Sequence, residues 1–237
     1  MDVLVRALER FGPLSGLERR AVEGAGIAVR RVEADRDLLR EGERASHVSL
    51  LLEGFACRCK TLQDGRRQIT AFHVPGELCD LMGLFLGEPN QGTCTLAPST
   101  VAFVPHAALL GWTGRHPGLN RALWRAALAD AAVSREWIVG LGRRTAYQRT
   151  AHLLCELAAR LRAAGLADGP TCALPLTPVD LADALGLTPV HVGRVLQDLR
   201  GQGLAGFDAG ALTVWDRRGL ERAGGFDPGY LHPPGAA

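Results

Sequence analysis

Arg194 and Gln197 stand about one helical turn apart, with Val190 and Gly193 on the same side and His191 and Asp198 at the flanks. These side-chain types suit the base edges of duplex DNA. A guanidinium donates twice to guanine, a carboxamide reaches adenine or a phosphate, a branched apolar group touches a thymine methyl, and a glycine lets the backbone come close. The stripe is narrow enough to enter a major groove about 12 Å wide. The N–H groups at Thr188 to Val190 would stay unpaired at a helix start, which suits a phosphate.

Such a face works only if a helix holds it outward, and the surrounding residues predict how. Thr177-Pro178 and Thr188-Pro189 each read as a helix start, with a hydroxyl cap and a proline in the first helical position. Asp180 completes a capping box with Thr177. Gly186 ends the first helix in the left-handed region, and Leu187 drops into the space the two helices share. Leu181 and Leu185 of the first helix match Val192, Val195, Leu196 and Leu199 of the second as a common core. A helix-turn-helix results. Phe207-Asp-Ala-Gly210 is the predicted turn of a hairpin between Leu204-Ala205 and Leu212-Thr213-Val214, which adds a wing.

LTPVDLADALGLTPVHVGRVLQDLRGQGL resembles the DNA-binding segment of the Crp/Fnr superfamily of bacterial transcription regulators. RQITAFHVPGELCDLMGLF, Arg67 to Phe85, is similar to its sensor-domain core, and FDPGYLH near the C-terminus resembles one branch of it. The resemblance implies an α+β protein: an N-terminal antiparallel β-roll like a cyclic-nucleotide-binding jelly roll, a long dimerisation helix, and a C-terminal winged helix-turn-helix. It implies a homodimer on palindromic double-stranded DNA, and RNA polymerase as a partner. Arg194 matches the arginine that reads guanine in the family. Val190 departs from the glutamate of the best-known members, so their operator does not carry over. In cyclic-nucleotide-binding members a glutamate holds the ribose and an Arg-Ser pair the phosphate. Here those positions fall on Leu81 and near Gln91-Gly92, which removes the charge-assisted contact to the anion, so no useful cyclic-AMP binding is expected. No Cys precedes Cys57, so the N-terminal cysteine cluster of oxygen-sensing relatives is missing.

The 237 residues, 47% hydrophobic, can bury a substantial core and suit two domains. The net charge of +2 carries no nucleic-acid signal, so any basic surface is local. Arg143, Arg144 and Arg149 are candidates for phosphate contacts, or are simply solvated. The N-terminus lacks a signal-peptide pattern and no apolar stretch is long enough to span a membrane, so a cytoplasmic protein is expected, without membrane partners. Six cysteines in that setting are expected to be thiols.

Three segments follow from the pattern. In residues 1–116 a helical lead-in, broken at Gly12-Pro13 and restarted by Ser15 and Glu18, precedes short apolar or alternating runs. These predict a β-roll punctuated by Gly42, Gly54, Gly65 and Gly76, with Gln63-Asp64-Gly65 its clearest hairpin turn. In residues 117–145 Leu119, Leu123, Ala126, Asp130, Val133, Trp137 and Gly140 step by four and three as a heptad seam, either for a second copy of the chain or for the chain's own β domain. Asp130 in that seam needs a partner. A hinge is predicted at Gly142-Arg-Arg-Thr145. Residues 146–237 hold a further helix, the helix-turn-helix and wing, and from Asp216 a short Gly/Pro-rich surface tail.

The effector pocket is drawn around Cys57, Cys59, Asp80, Leu81, Met82, Gln91 and Gly92. Cys57 and Cys59 alternate with Arg58 and Lys60, so both thiols are expected to face the roll interior, where Cys79 and Cys94 approach them. They fill a core or share a metal, and no disulfide between residues two apart in a strand is expected. His47 and His73 are expected to be satisfied by local hydrogen bonds. No cofactor or metal is predicted, and the effector is left unidentified. No P-loop, GxSxG, HExxH or CxxC element is present, so enzymatic activity has no residue-level support. The leading reading is an effector- or redox-responsive transcription regulator. A small-molecule or redox sensor acting mainly through a protein partner is the alternative, and metalloenzyme activity in the roll a third.

Overall fold

A computed structural model describes residues 2–231. The chain divides into two compact units, one of residues up to 60 and 72–131, the other of residues 61–71 and 132–231. In the first, helices α1 (Asp2–Glu9) and α2 (Gly16–Glu23) lead in. Ser15 caps α2 in a full capping box with Glu18, as the lead-in pattern predicts. The Glu18 carboxylate also accepts the Gly118 N–H at 2.6 Å and the Leu119 N–H at 3.2 Å.

Strands β1 (Ala28–Val32), β2 (Asp37–Leu39), β3 (His47–Glu53), β4 (Ala56–Thr61) and β5 (Arg67–His73) follow. After the short helix α3 (Gly83–Leu86) come β6 (Gly92–Thr95) and β7 (Ser99–Pro105), then α4 (His106–Arg115). The strands form two sheets, ordered β1-β7-β3 and β2-β6-β4-β5. Leu38, Leu51, Ala56, Cys79 and Val101 make a core between them, and a larger core joins β3 and β7 to α1, α2 and α4. Strand β6 was not read from the sequence, because GTCT is too short and polar to stand out; its antiparallel pairing with β2 and β4 makes it a strand.

Helix α5 (Pro117–Arg143) opens with proline at its first position and is rich in alanine. It runs to Arg143, so the break before α6 (Ala146–Ala163) spans only Arg144 and Thr145, narrower than the predicted hinge. Thr145 caps α6 in a capping box with Gln148.

In the second unit a three-stranded sheet, ordered β8-β10-β9, brings together β8 (Thr171–Ala173), β9 (Ala205–Asp208) and β10 (Ala211–Val214). Strand β8, only three residues long, is not marked in the sequence pattern; its antiparallel pairing with β10 makes it a strand. Helices α7 (Pro178–Leu185) and α8 (Pro189–Gly201) sit between β8 and β9 in the chain, and α9 (Arg217–Gly224) and a 3-10 turn at Pro228–Leu231 close the described residues.

The expected surface tail is therefore corrected. Helix α9 packs on α6 with Leu220 and Gly224 buried. Gly224 is required there, since a Cβ would lie 2.5 Å from the His152 backbone nitrogen. A Gly/Pro-rich composition concealed an element whose packing, not its propensity, holds it. His232 and the rest of the predicted tail lie outside the described residues.

Candidate nucleic-acid interface

The two capped helices form as the sequence predicts. The Thr177 hydroxyl accepts the Asp180 N–H at 3.1 Å, and the Asp180 carboxylate accepts the Thr177 N–H at 2.9 Å. Gly186 sits at φ +60 and its N–H donates to the Ala182 carbonyl, so α7 stops there. Thr188 caps α8 by accepting the His191 N–H at 3.2 Å. Leu181, Leu185, Val192, Val195 and Leu199 are buried, while Leu196 is only half-buried.

That core fixes which side of α8 faces out. Thr188, Pro189, Val190, His191, Arg194 and Gln197 are exposed, as is Thr177 at the start of α7, and Gly193 is half-buried in their midst. Of the residues predicted to face DNA, all but the half-buried Gly193 are thus exposed. Asp208 pairs with Ala211 across the wing turn at Ala209-Gly210, both at positive φ. This gives the primed turn that matches the twist of a two-stranded ribbon.

Residues 148–223 match the Crp-like helix-turn-helix domain and residues 29–116 the cyclic nucleotide-binding domain. The nitrogen fixation regulation protein FixK of Bradyrhizobium diazoefficiens is 30% identical over 222 residues, covering 93% of this chain and 91% of that protein. The chain belongs to the Crp/Fnr family. FixK of Azorhizobium caulinodans is also 30% identical, over 78% of this chain and 75% of its own. The solved structure of FixK2 from Bradyrhizobium japonicum matches with a TM-score of 0.76 at 31% identity, covering 83% of this chain and 96% of that one. With the open face of α8, these likenesses make the protein a DNA-binding transcription regulator. No helix among its described residues is long and apolar enough to cross a membrane.

In this Crp/Fnr chain the turn-bearing hairpin of residues 61–71 meets α7. Arg67 donates to the Asp183 carboxylate at 2.8 Å and to the Asp180 carboxylate at 2.7 Å, and the Gln68 amide donates to the Ala184 carbonyl at 3.2 Å. Asp180 therefore serves both the α7 cap and Arg67. This pairing is not legible in the sequence, because nothing in Arg66-Arg67-Gln68 marks a partner more than a hundred residues away.

A buried polar network braces the same unit. Glu156, fully buried, accepts from the Trp137 indole at 3.0 Å, Arg160 at 2.9 Å and the Tyr230 hydroxyl at 2.7 Å. His152 lies 3.2 Å from the Gly224 carbonyl and 3.1 Å from the Tyr230 hydroxyl, and burial lowers its pKa. The FDPGYLH resemblance was the available signal for Tyr230. Arg144 is bound by Glu136, so of the three arginines proposed for phosphate contact it is otherwise engaged; Arg143 is exposed and Arg149 half-buried.

The predicted α5 seam needs correction. Leu119 and Leu123 are buried in the chain's own core, and Ala126 packs against it. Asp130 finds the partner it required in Arg58, at 3.0 Å and 3.3 Å, and Trp137 is held by Glu156. Val133 is half-buried. The most exposed large apolar positions of α5 are Trp124, Leu128 and Ile138, 58%, 57% and 68% exposed. With Ala131 and Arg135 they too step by four and three, about 140° further round the helix.

The proposed effector residues do not converge. Leu81 is buried in the larger core, Met82 is exposed, Gln91 is half-buried, and Gly92 pairs with Cys59 across β4 and β6. Ala56 packs with Cys79 in the core between the sheets. Strand alternation then turns Cys57 and Cys59 to the other face, so they do not face the interior and Cys79 does not join them. None of the six cysteines is in a disulfide. His47 approaches the Ser46 hydroxyl at 3.2 Å, and His73 lies 3.9 Å from Glu77.

Asp80 is buried and accepts from the Ser49 N–H at 2.8 Å and hydroxyl at 3.2 Å. Burial outweighs these bonds and the nearby Arg58 charge, and pushes the carboxyl up to about 6. The folded chain then holds this proton more tightly than the unfolded one. The stabilisation is complete below the ordinary carboxylate value and is lost as pH rises through about 6. Urea midpoints of the natural protein should therefore fall between pH 5 and 7 relative to those of Asp80→Asn. A constant difference between the two across that range would show that Asp80 does not titrate there.

Proposed function

We propose that the protein acts as a homodimer in which α8 of each subunit enters successive major grooves of a palindromic operator, about one helical turn or roughly 34 Å apart. The observation that carries this reading is the outward face of α8, where Arg194, Gln197 and Val190 stand clear of a core that fixes their direction. Arg194 reads guanine, Gln197 reads adenine or a phosphate, and Val190 meets a thymine methyl. Thr177, Thr188, Pro189, His191 and Gly193 flank the groove-entering face and admit the phosphate backbone.

Residues 1–116 are the sensor, residues 117–145 the dimerisation helix and its junction, and residues 146–237 the DNA-binding domain. The effector is not cyclic AMP, because a buried leucine, Leu81, stands where a ribose-binding carboxylate is needed. RNA polymerase is the further partner, by analogy with relatives named as transcriptional activators, such as FnrL of Cereibacter sphaeroides. The dimer contact uses Trp124, Leu128 and Ile138 of α5, exposed large apolar groups at heptad spacing.

Selection of genomic fragments by the purified protein tests the reading, with sedimentation equilibrium alongside. The natural chain is expected to sediment as a dimer and to enrich a palindrome with half-sites one turn apart. Leu128→Glu places a charge in the contact, and should shift the chain to monomers and abolish that enrichment. Recovery of an unsymmetrical site, or a dimer unmoved by Leu128→Glu, would count against it.

A further inference from the structure

Cys57 and Cys59 lie two residues apart on β4 and so share one face of that strand. Cys94 of β6 is the direct cross-strand partner of Cys57, and Gly92 is the partner of Cys59. Opposed residues of an antiparallel pair project to the same side. Cys94 therefore joins the other two thiols, while the glycine leaves the space in front of Cys59 clear. The three sulfurs lie within 4.8 Å of one another, Cys57 and Cys94 at 3.5 Å. Cys57 is buried and the other two are half-buried. DNA binding uses none of them.

Three sulfurs bonded to one ion at about 2.3 Å stand about 3.8–4.0 Å apart in tetrahedral or trigonal geometry. The observed separations bracket that value, so small side-chain rotations bring all three onto one centre. A disulfide fits less well. It needs Cβ atoms about 3.8 Å apart, whereas opposed residues of an antiparallel ladder hold theirs at about 4.5–5.5 Å. Closing it would also leave Cys59 unused.

We propose that Cys57, Cys59 and Cys94 form a three-thiolate site for a thiophilic d10 divalent cation of the zinc and cadmium class. On binding, three S–H bonds break, three metal–sulfur bonds form, and three protons pass to solvent. No electron is transferred. Affinity consequently rises with pH. The site lies on the opposite face of the sheet from Ala56 and Arg58, so a bound ion ties β4 to β6 at a point distinct from the Arg58–Asp130 pair.

The test is anaerobic titration of the reduced full-length protein with Cd²⁺, followed by thiolate-to-metal charge-transfer absorption, and with Zn²⁺ in competition with a chromogenic chelator. One equivalent per chain is expected, with the absorption of three thiolates. Cys94→Ser and Cys59→Ser should each weaken binding by more than about tenfold and remove about a third of the absorption. Cys172→Ala, in the other unit, should leave both unchanged. Cys59 is half-buried, so its variant keeps the test valid should replacement of Cys94 disturb folding. The proposal is overturned by absence of stoichiometric binding, or by binding that both serine variants retain in full.

Discussion

Replacing Arg194 with alanine is expected to weaken binding to the specific operator by roughly 5- to 150-fold, the equivalent of about 1–3 kcal/mol. The side chain is exposed on α8, and the residues that hold the helix are Val192, Val195 and Leu199 on its other side. Alanine also favours a helix interior. The fold should therefore survive, and the loss should fall on recognition alone. A guanidinium donating twice to one guanine acts on one base pair, so selectivity should relax at a single position in each half-site. Binding to unrelated DNA should hardly change. The slope of affinity against salt should also hold, since no phosphate contact is removed. Fluorescence anisotropy at several salt concentrations, on the operator and on variants of each base pair, measures all of this. Arg194→Lys should recover part of the affinity but not the two-donor geometry. Unchanged affinity and an unchanged preference at every position would remove Arg194 from the recognition surface.

The largest stability effect should come from Glu156, which is fully buried and away from the proposed DNA-reading face. Glu156→Ala is expected to cost about 3–5 kcal/mol of unfolding free energy, measured by urea denaturation. The carboxylate is fully buried and one oxygen receives Arg160, whose side chain is only 9% exposed. Truncation removes at once the buried carboxylate to which Arg160, the Trp137 indole N–H and the Tyr230 hydroxyl all donate. Glu156→Gln keeps the volume and one acceptor oxygen but turns an amide toward a donor, so a smaller loss of about 1–3 kcal/mol is expected. Tyr230→Phe removes only one hydroxyl and should cost least. Because Trp137 is on α5, Glu156 on α6 and Tyr230 beyond α9, the Trp137 indole in Glu156→Ala should become more accessible to a fluorescence quencher before global unfolding. A loss below about 1 kcal/mol for Glu156→Ala would mean that the network is not a brace.

Much of the proposed DNA-reading face was legible because its signals are local. Thr177-Pro178, Thr188-Pro189 and Gly186 act within a few residues of themselves, so caps and stop followed from hydrogen-bonding rules that need no tertiary context. The side of α8 that turns inward followed from 3.6-residue periodicity, given one adjacent helix to pack on. The β-roll was legible more coarsely. Long apolar runs such as His47–Glu53 declared themselves, whereas β6 and β8, short and polar, depend on their partners for hydrogen bonds.

The α5 seam shows the limit of periodicity. Leu119, Leu123 and Ala126 and, on another side, Trp124, Leu128 and Ala131 repeat with the same spacing, Ile138 following two heptads after Trp124. Only the positions of α1, α2 and the β-strands decide that the first set is consumed by the chain's own core. The thiols are similar: alternation gave Cys57 and Cys59 a common face, but which face, and that Cys94 rather than Cys79 shares it, depended on strand register.

By itself, then, the sequence determined the two capped helices, their buried and open sides, and the family. The tertiary structure decided the pairings between residues far apart in the chain: Arg67 with Asp180 and Asp183, Asp130 with Arg58, Glu156 with Tyr230, and the three-sulfur cluster. The reason is one of range. Caps, turns and amphipathic stripes are set by interactions across three or four residues, and composition records them directly. A charge buried against a partner a hundred residues away is tolerable only once the fold has brought the two together, and no local pattern encodes that meeting.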